Sequence, residues 1–252
     1  MISPLALPGA ALREGCPDRG GLDWGTCWHT TGEDDGINAR ILARAKFLAS
    51  VGRDPLLAGG EIFREIYAHA EFYPHYLGGW LGAGDLHAIA DESKRVPHAG
   101  LHETQREQYL SGAWRTSWIL YDGSTRPADA DVVERWCDRW PRWRSPQHLF
   151  PGSSPNDVYI GAELVPVVAG IPGLEPMRPG LKYTRAQHEL VAALHLDFVK
   201  RARNAIPLDA PNHLVGHEDV NPMDRPGWDP GALRRAPWFD WAFVRDLIAK
   251  GS

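Results

Sequence analysis

The chain has 252 residues, 43% hydrophobic and 23% charged, with a formal net charge of -5 at pH 7, the balance of a globular protein with one sizeable core. A pI near 6.1 gives no global attraction to nucleic acid or an anionic membrane, and no run approaches the roughly 18 apolar residues of a membrane span. Cys16, Cys27 and Cys137 are three cysteines without a CxxC spacing, which argues against a disulfide framework and for a reducing compartment.

Residues 1–22 begin MISPLALPGAALREGC, an apolar stretch broken by Pro4 and Pro8 with no basic leader. They are expected to form an arm, not a signal peptide, ahead of one domain over 23–252. GTCWHTTG reads as a short buried strand that puts His29 at its end. Asp34 and Asp35, with Glu33, favour the positive end of the helix that follows over 36–51. EIFREIYAHAEFY predicts a second helix after a break at Gly59-Gly60. PHYLGGWLGAGDLHAIAD predicts a hairpin, with β-formers flanking a glycine-rich turn.

The segment 103–156 reads as an insertion of one or two helices with long, turn-rich loops. It carries Trp114, Trp118, Trp136, Trp140 and Trp143 of the chain's eleven tryptophans. Two readings stay open for them, stacking on sugar faces in a glycan groove or packing of a core. VYIGAELVPVV is an apolar run interrupted by one carboxylate, Glu163, as in a buried central strand. YTRAQHELVAALHLDFVKRARNAI predicts a long helix with Thr184 as N-cap and Gln187 completing a capping box. NHLVGH predicts a strand ending at His217, and PWFDWAFVRDLIAK a last helix from near Pro237, with Asp240 capping it and Trp241 in the core. Strands alternating with long helices make the fold class α/β, a mixed sheet with helices packed on it.

A catalytic zinc takes three protein ligands and leaves one position open. His29, His217 and Asp229 could be such a set, but spacing between distant segments leaves a second reading, in which the histidines cap turns or pair with acids. GHEDVNPMDRPGWDPG, followed by PWFDW, resembles the closing signature of the zinc-dependent N-acetylmuramoyl-L-alanine amidases, the amidase-2 family that includes peptidoglycan recognition proteins. CWHTTG, PHYL, PHAG and IGAELVP look like that family's first-ligand strand, its Ser-x-His-Tyr strand, its Trp-His-Ala-Gly turn and its Ile-Gly-Ile-Glu strand. YTRAQHELVAAL resembles its Tyr-Thr-x-x-Gln helix. The matches keep the family's order from about residue 24 to 244.

The resemblance implies an amidase-2-like fold and a zinc ion bound by His29, His217 and Asp229, with Glu163 as the catalytic carboxylate. It places His75 and His98 along a substrate groove, and a second reading stays open for each, a buried and hydrogen-bonded side chain. The implied reaction is hydrolysis of the amide between N-acetylmuramic acid and L-alanine by a zinc-activated water. The expected partner is peptidoglycan or soluble muropeptides, and the expected state is a monomer. The first expectation is a phage-type endolysin, made in the cytoplasm without a signal peptide and acting on the bacterial cell wall. The alternatives are a non-catalytic peptidoglycan-binding protein and a cytosolic muropeptide-recycling amidase. The sequence also departs from the family. Gly227 stands where a lysine is common two residues before the aspartate ligand, and Arg225 is the candidate to replace that cation at the substrate. Cys27 shares a strand face with His29 and is expected to be a small buried filler.

Overall fold

The computed structural model of the chain describes residues 24–32, 34–150, 154–201, 211–225, 229–231, 233 and 237–251. The arm expected over 1–22, with Cys16, lies outside the described residues, as do Glu33, Pro226 and Gly227. The strands and α-helices in chain order are β1 (Gly25–Thr30), α1 (Asp35–Ser50), α2 (Ala58–Tyr67), β2 (Tyr76–Gly78), β3 (Leu86–Ala88), α3 (Glu103–Ser111), β4 (Ser117–Ile119), β5 (Thr125–Pro127), α4 (Ala130–Arg139), α5 (Pro155–Val158), β6 (Tyr159–Leu164), α6 (Arg185–Arg201), β7 (Leu214–Gly216), α7 (His217–Val220) and α8 (Trp241–Gly251). No helix among the described residues is long and apolar enough to cross a membrane.

Five strands make a mixed sheet in the order β3-β2-β6-β1-β7. β1 runs parallel to β6 and β7, β2 runs parallel to β6, and only β3 is antiparallel. Parallel strands covered on both faces read as near-continuous apolar runs, and β1 and β6 at the centre do so. Side chains alternate across the sheet. On one face Trp28, Ile160, Ala162 and Leu164 pack with Leu190 and Leu194 of α6 and Val244 and Ile248 of α8. On the other, Leu77 packs with Ile41, Leu48, Ile62 and Phe63 of α1 and α2, while Cys27, Tyr159 and Val215 pack with the tryptophans of the segment 103–156.

Local chemistry explains the main helix starts. Asp34 Oδ1 accepts the Ile37 amide at 3.0 Å, capping α1. At α6 the Thr184 amide donates to Gln187 Oε1 at 2.9 Å and the Gln187 amide donates to Thr184 Oγ1 at 3.2 Å, the capping box expected from the sequence. Asp240 Oδ1 accepts the Phe243 amide at 3.2 Å, so Asp240 caps α8 and Trp241 is buried. α8 therefore begins at Trp241, later than the expected Pro237, because the Asp240 amide is taken by His188 Nε2 at 3.0 Å and the chain bends at residues 238 and 239 before it.

Three further expectations are corrected. The Gly59-Gly60 pair does not break the chain but lies in the first turn of α2, where a Cβ at 59 would come within 2.9 Å of the Trp80 ring and one at 60 would overlap Asp85. These glycines allow close packing. β7 stops at Gly216, so His217 opens the one-turn helix α7 instead of ending a strand. The turn-rich part of the insertion contains a two-stranded hairpin, β4 with β5, whose connection holds Asp122-Gly123 with Gly123 at φ 80°, a dipeptide that favours hairpin turns.

The tryptophans of this insertion form a core. Trp114, Trp118, Trp136 and Trp140 are all 0–1% exposed, and Trp143 packs at the margin. The rings of Trp114 and Trp136 meet edge to face at 5.2 Å, and Trp136 Nε1 donates to Asp219 O at 2.9 Å, which ties the insertion to α7.

Candidate metal centre

The parallel register sets the site. His29 of β1 lies directly opposite Glu163 of β6, and both project from the face that carries Cys27. β7 runs along the other edge of β1, so His217, one residue beyond β7, arrives beside His29 with ring centroids 4.2 Å apart.

Asp229 returns from the loop after α7, and backbone contacts hold it there. A Cβ at Gly216 would overlap Pro230 O, and one at Gly231 would overlap the Glu218 side chain, so both glycines let the loop lie against β7 and α7. The Glu218 amide donates to Asp229 O at 3.3 Å, and the Leu233 amide donates to Glu218 Oε2 at 3.1 Å. The Thr30 amide donates to Asp229 Oδ1 at 3.0 Å, leaving Oδ2 turned toward the imidazoles. Pro222 and Pro230 limit the backbone of the same loop. The other acids near it hold the loop and not the centre. Asp219 Oδ2 accepts the Gly216 amide at 3.0 Å and pairs with Arg139 at 3.1 Å, and Asp224 Oδ1 accepts the Tyr121 amide at 2.9 Å.

His29, His217 and Asp229 offer ligand atoms that all lie within 4.8 Å of one another, and all three side chains are 2–3% exposed. His217 Nδ1 is 3.1 Å from Asp229 Oδ2 but not aligned for a hydrogen bond, and neither ring nitrogen of His217 has a hydrogen-bond partner among the described residues. Buried polar atoms without partners are costly. Two imidazole lone pairs and a carboxylate in one dry place are the donor set of a transition-metal ion, and such an ion would satisfy the orphaned nitrogen. The residues therefore fit a metal.

The hydrogen bonds also fix which nitrogen of His29 is available. His98 Nε2 lies 3.1 Å from the Tyr159 carbonyl, which can only accept, so it carries the proton. In the neutral ring His98 Nδ1 is then an acceptor, and His29 Nε2, at 3.0 Å from it, must be the donor. The lone pair of His29 is left on Nδ1. A ligating histidine usually has its other nitrogen held in this way. His98 thus orients the His29 ring, and its own amide and that of Ala99 donate to Asn156 Oδ1 at 3.1 and 2.7 Å.

His75, expected along a groove, is fully buried with both nitrogens engaged: Nδ1 accepts the Gly161 amide at 3.0 Å and Nε2 meets Lys94 O at 2.9 Å. It ties the segment before β2 to β6. Arg225 sits at the rim, 36% exposed, with Nη1 3.6 Å from Asp229 Oδ2. Tyr67, at the end of α2, donates its hydroxyl to Glu163 Oε2. The sequence reading passed over Tyr67, although it stands four residues after buried Phe63, the spacing of one helix face.

Burial dominates the electrostatics. It pushes Glu163 up to about 8, with Asp229 adding repulsion and the Tyr67 hydroxyl and Arg225 opposing. Burial holds His29 and His217 well below the ordinary imidazole value, helped for His29 by His217 and for both by Arg225. Both rings are therefore neutral, the ligating form. Burial also raises Asp229 against the pull of His29, Arg225 and the Thr30 amide. A second group, Cys27, His29 and His98, also brings its ligand atoms within 4.8 Å of one another and shares His29 with the first. Comparison with protein-family models, with curated proteins and with solved structures finds no match to the chain.

Proposed function

We propose that this chain is a zinc-dependent N-acetylmuramoyl-L-alanine amidase, a hydrolase of the amidase-2 kind that cuts the bond between the lactyl group of N-acetylmuramic acid and L-alanine. The observation that carries the reading is the convergence of His29, His217 and Asp229, far apart in sequence, around the orphaned nitrogens of His217, one strand from Glu163. These are the positions on which the motif resemblance puts three ligands and a catalytic acid.

Zinc suits a set of two imidazoles and one carboxylate, and when bound it supplies an activated water and a Lewis acid for the amide carbonyl. The chain's own residues provide the rest. His29 offers Nδ1 because His98 holds its Nε2 proton. Asp229 offers Oδ2 because Thr30 occupies Oδ1. Glu163, raised to about 8 by burial, is matched to taking a proton near neutral pH and passing it to the departing amine. Tyr67 fixes the orientation of that carboxylate. Arg225 lies at the rim with Nη1 3.6 Å from Asp229 Oδ2, and it is suited to meet negative charge developing on the carbonyl oxygen.

The buried tryptophans of 103–156 support a scaffold role for those rings, which offer no free face for a sugar to stack on. The direct test is digestion of intact sacculi and soluble muropeptides side by side, with mass spectrometry of the products. New L-alanine amino termini are expected from at least one substrate, and the Glu163→Ala variant should lose turnover while still binding zinc. Products cut elsewhere, or full activity in Glu163→Ala, would overturn the assignment. Release from muropeptides alone points to a recycling enzyme, and release from sacculi to a lytic one.

A further inference from the structure

We propose a second, inner metal position, formed by the Cys27 thiolate, His29 and His98, that takes a soft thiophilic ion of the Cu+ or Cd2+ class and excludes metal from the outer His29–His217–Asp229 position. Three independent features build it. The β1–β6 register sets Cys27 opposite Gly161, two residues before the His29–Glu163 pair and on the same face. A Cβ at position 161 would overlap the His98 ring, so His98 lies directly on β6 at the level of Cys27 because that residue is glycine. His29 Nε2 and His98 Nδ1 face each other at 3.0 Å, and the three ligand atoms lie within 4.8 Å of one another. Cys27 is a free, fully buried thiol.

Two imidazole nitrogens on one tetrahedral ion, each at about 2.0–2.1 Å, stand about 3.3 Å apart. An ion could therefore take the place of the proton shared by His29 and His98 if the nitrogens part by a few tenths of an ångström and both rings tilt so that their lone pairs meet it beside the N–N line, on the side of Cys27. One thiolate and two imidazoles favour soft ions, whereas the outer set with its carboxylate is harder. The proton balance follows. The Cys27 thiol releases one proton to solvent, the His29 proton moves from Nε2 to Nδ1, and His98 keeps its Nε2 proton on the Tyr159 carbonyl. A neutral imidazole has one lone pair, so His29 serves the inner ion or the outer ion and never both. A thiophilic ion thereby switches off the outer centre. This inference stands apart from the amidase reading, since it concerns metal binding whatever the substrate.

The test uses full-length metal-free protein in which Cys16 and Cys137 are replaced by serine, so that Cys27 is the one thiol. Titration with Cd2+ should give the ultraviolet thiolate-to-cadmium charge-transfer band, saturating at one equivalent with one proton released. The band should survive His217→Ala, which dismantles the outer position, and vanish in Cys27→Ser. With Cd2+ and Zn2+ both in excess, total bound metal should stay at one equivalent per chain, a measurement that needs no site variant. Absence of the band, or its persistence in Cys27→Ser, would overturn the inner position. Two equivalents bound together would overturn the exclusion. A protein that shows the band and the single equivalent but has no amidase activity with zinc alone would overturn the amidase reading and leave the inner position standing.

Discussion

Glu163→Gln tests the electrostatics of the centre without needing a substrate. In the metal-free protein burial moves this carboxyl from an ordinary 4.5 to about 8, so between those values the folded state holds a proton that the unfolded state has released. Folding stability therefore falls as pH rises through this window. At about 1.4 kcal/mol per tenfold, the upper bound is about 5 kcal/mol at pH 8. The side chain is partly rather than wholly buried, and discounting for solvent screening leaves about 2 kcal/mol between pH 5.5 and 8. The buried histidines, whose values are lowered, make their own contribution on the acid side of their ordinary value, and they do so in both proteins. Urea unfolding with chelator present, at pH 5.5 and 8, should show the variant gaining about 2 kcal/mol on the wild type at the higher pH. Equal gaps at the two pH values would mean that Glu163 is an ordinary ionised carboxylate, and its role as proton carrier would lose its basis.

Zinc at a hundredfold excess over its dissociation constant should stabilise the protein by about 2.7 kcal/mol, a rise of roughly 5–10 °C in melting temperature for a domain of this size. Asp229→Asn should lose most of that shift in differential scanning, and a full shift would remove Asp229 from the ligand set. Gly161→Ala drives a methyl group into the His98 ring, which should cost about 1–3 kcal/mol and weaken zinc binding about 10- to 100-fold through the disturbed His29 contact; unchanged affinity in a competition titration would separate His98 from the metal. Trp136→Ala should destabilise by about 3–5 kcal/mol, because the indole is fully buried. Lower substrate affinity at unchanged unfolding midpoint would instead restore the glycan-groove reading of the insertion.

The central strands were legible because both lie between covered faces, which leaves an apolar run with one conspicuous carboxylate. The α6 start was legible because Thr184 and Gln187 satisfy local amides, a contact contained within four residues. The ligand positions came from motif resemblance, not from spacing, since β1 and β7 become neighbours only through a sheet order that no local pattern encodes. The Gly59-Gly60 pair misled for a related reason: glycine at a tight helix contact looks the same in sequence as glycine at a break, and the partners that decide it, Trp80 for Gly59 and Asp85 for Gly60, lie well beyond the local sequence. The β4–β5 hairpin was missed because its strands are short and β5 is exposed and polar. Tyr67 was passed over because its partner, Glu163, sits on a strand distant in sequence.

The most direct measurement joins metal content to bond cleavage in one preparation. The protein should hold one equivalent of zinc and release L-alanine amino termini from muropeptides or sacculi; chelation should abolish release, and added zinc should restore it. Equal release before and after chelation, or none from either substrate with zinc bound, would contradict the account.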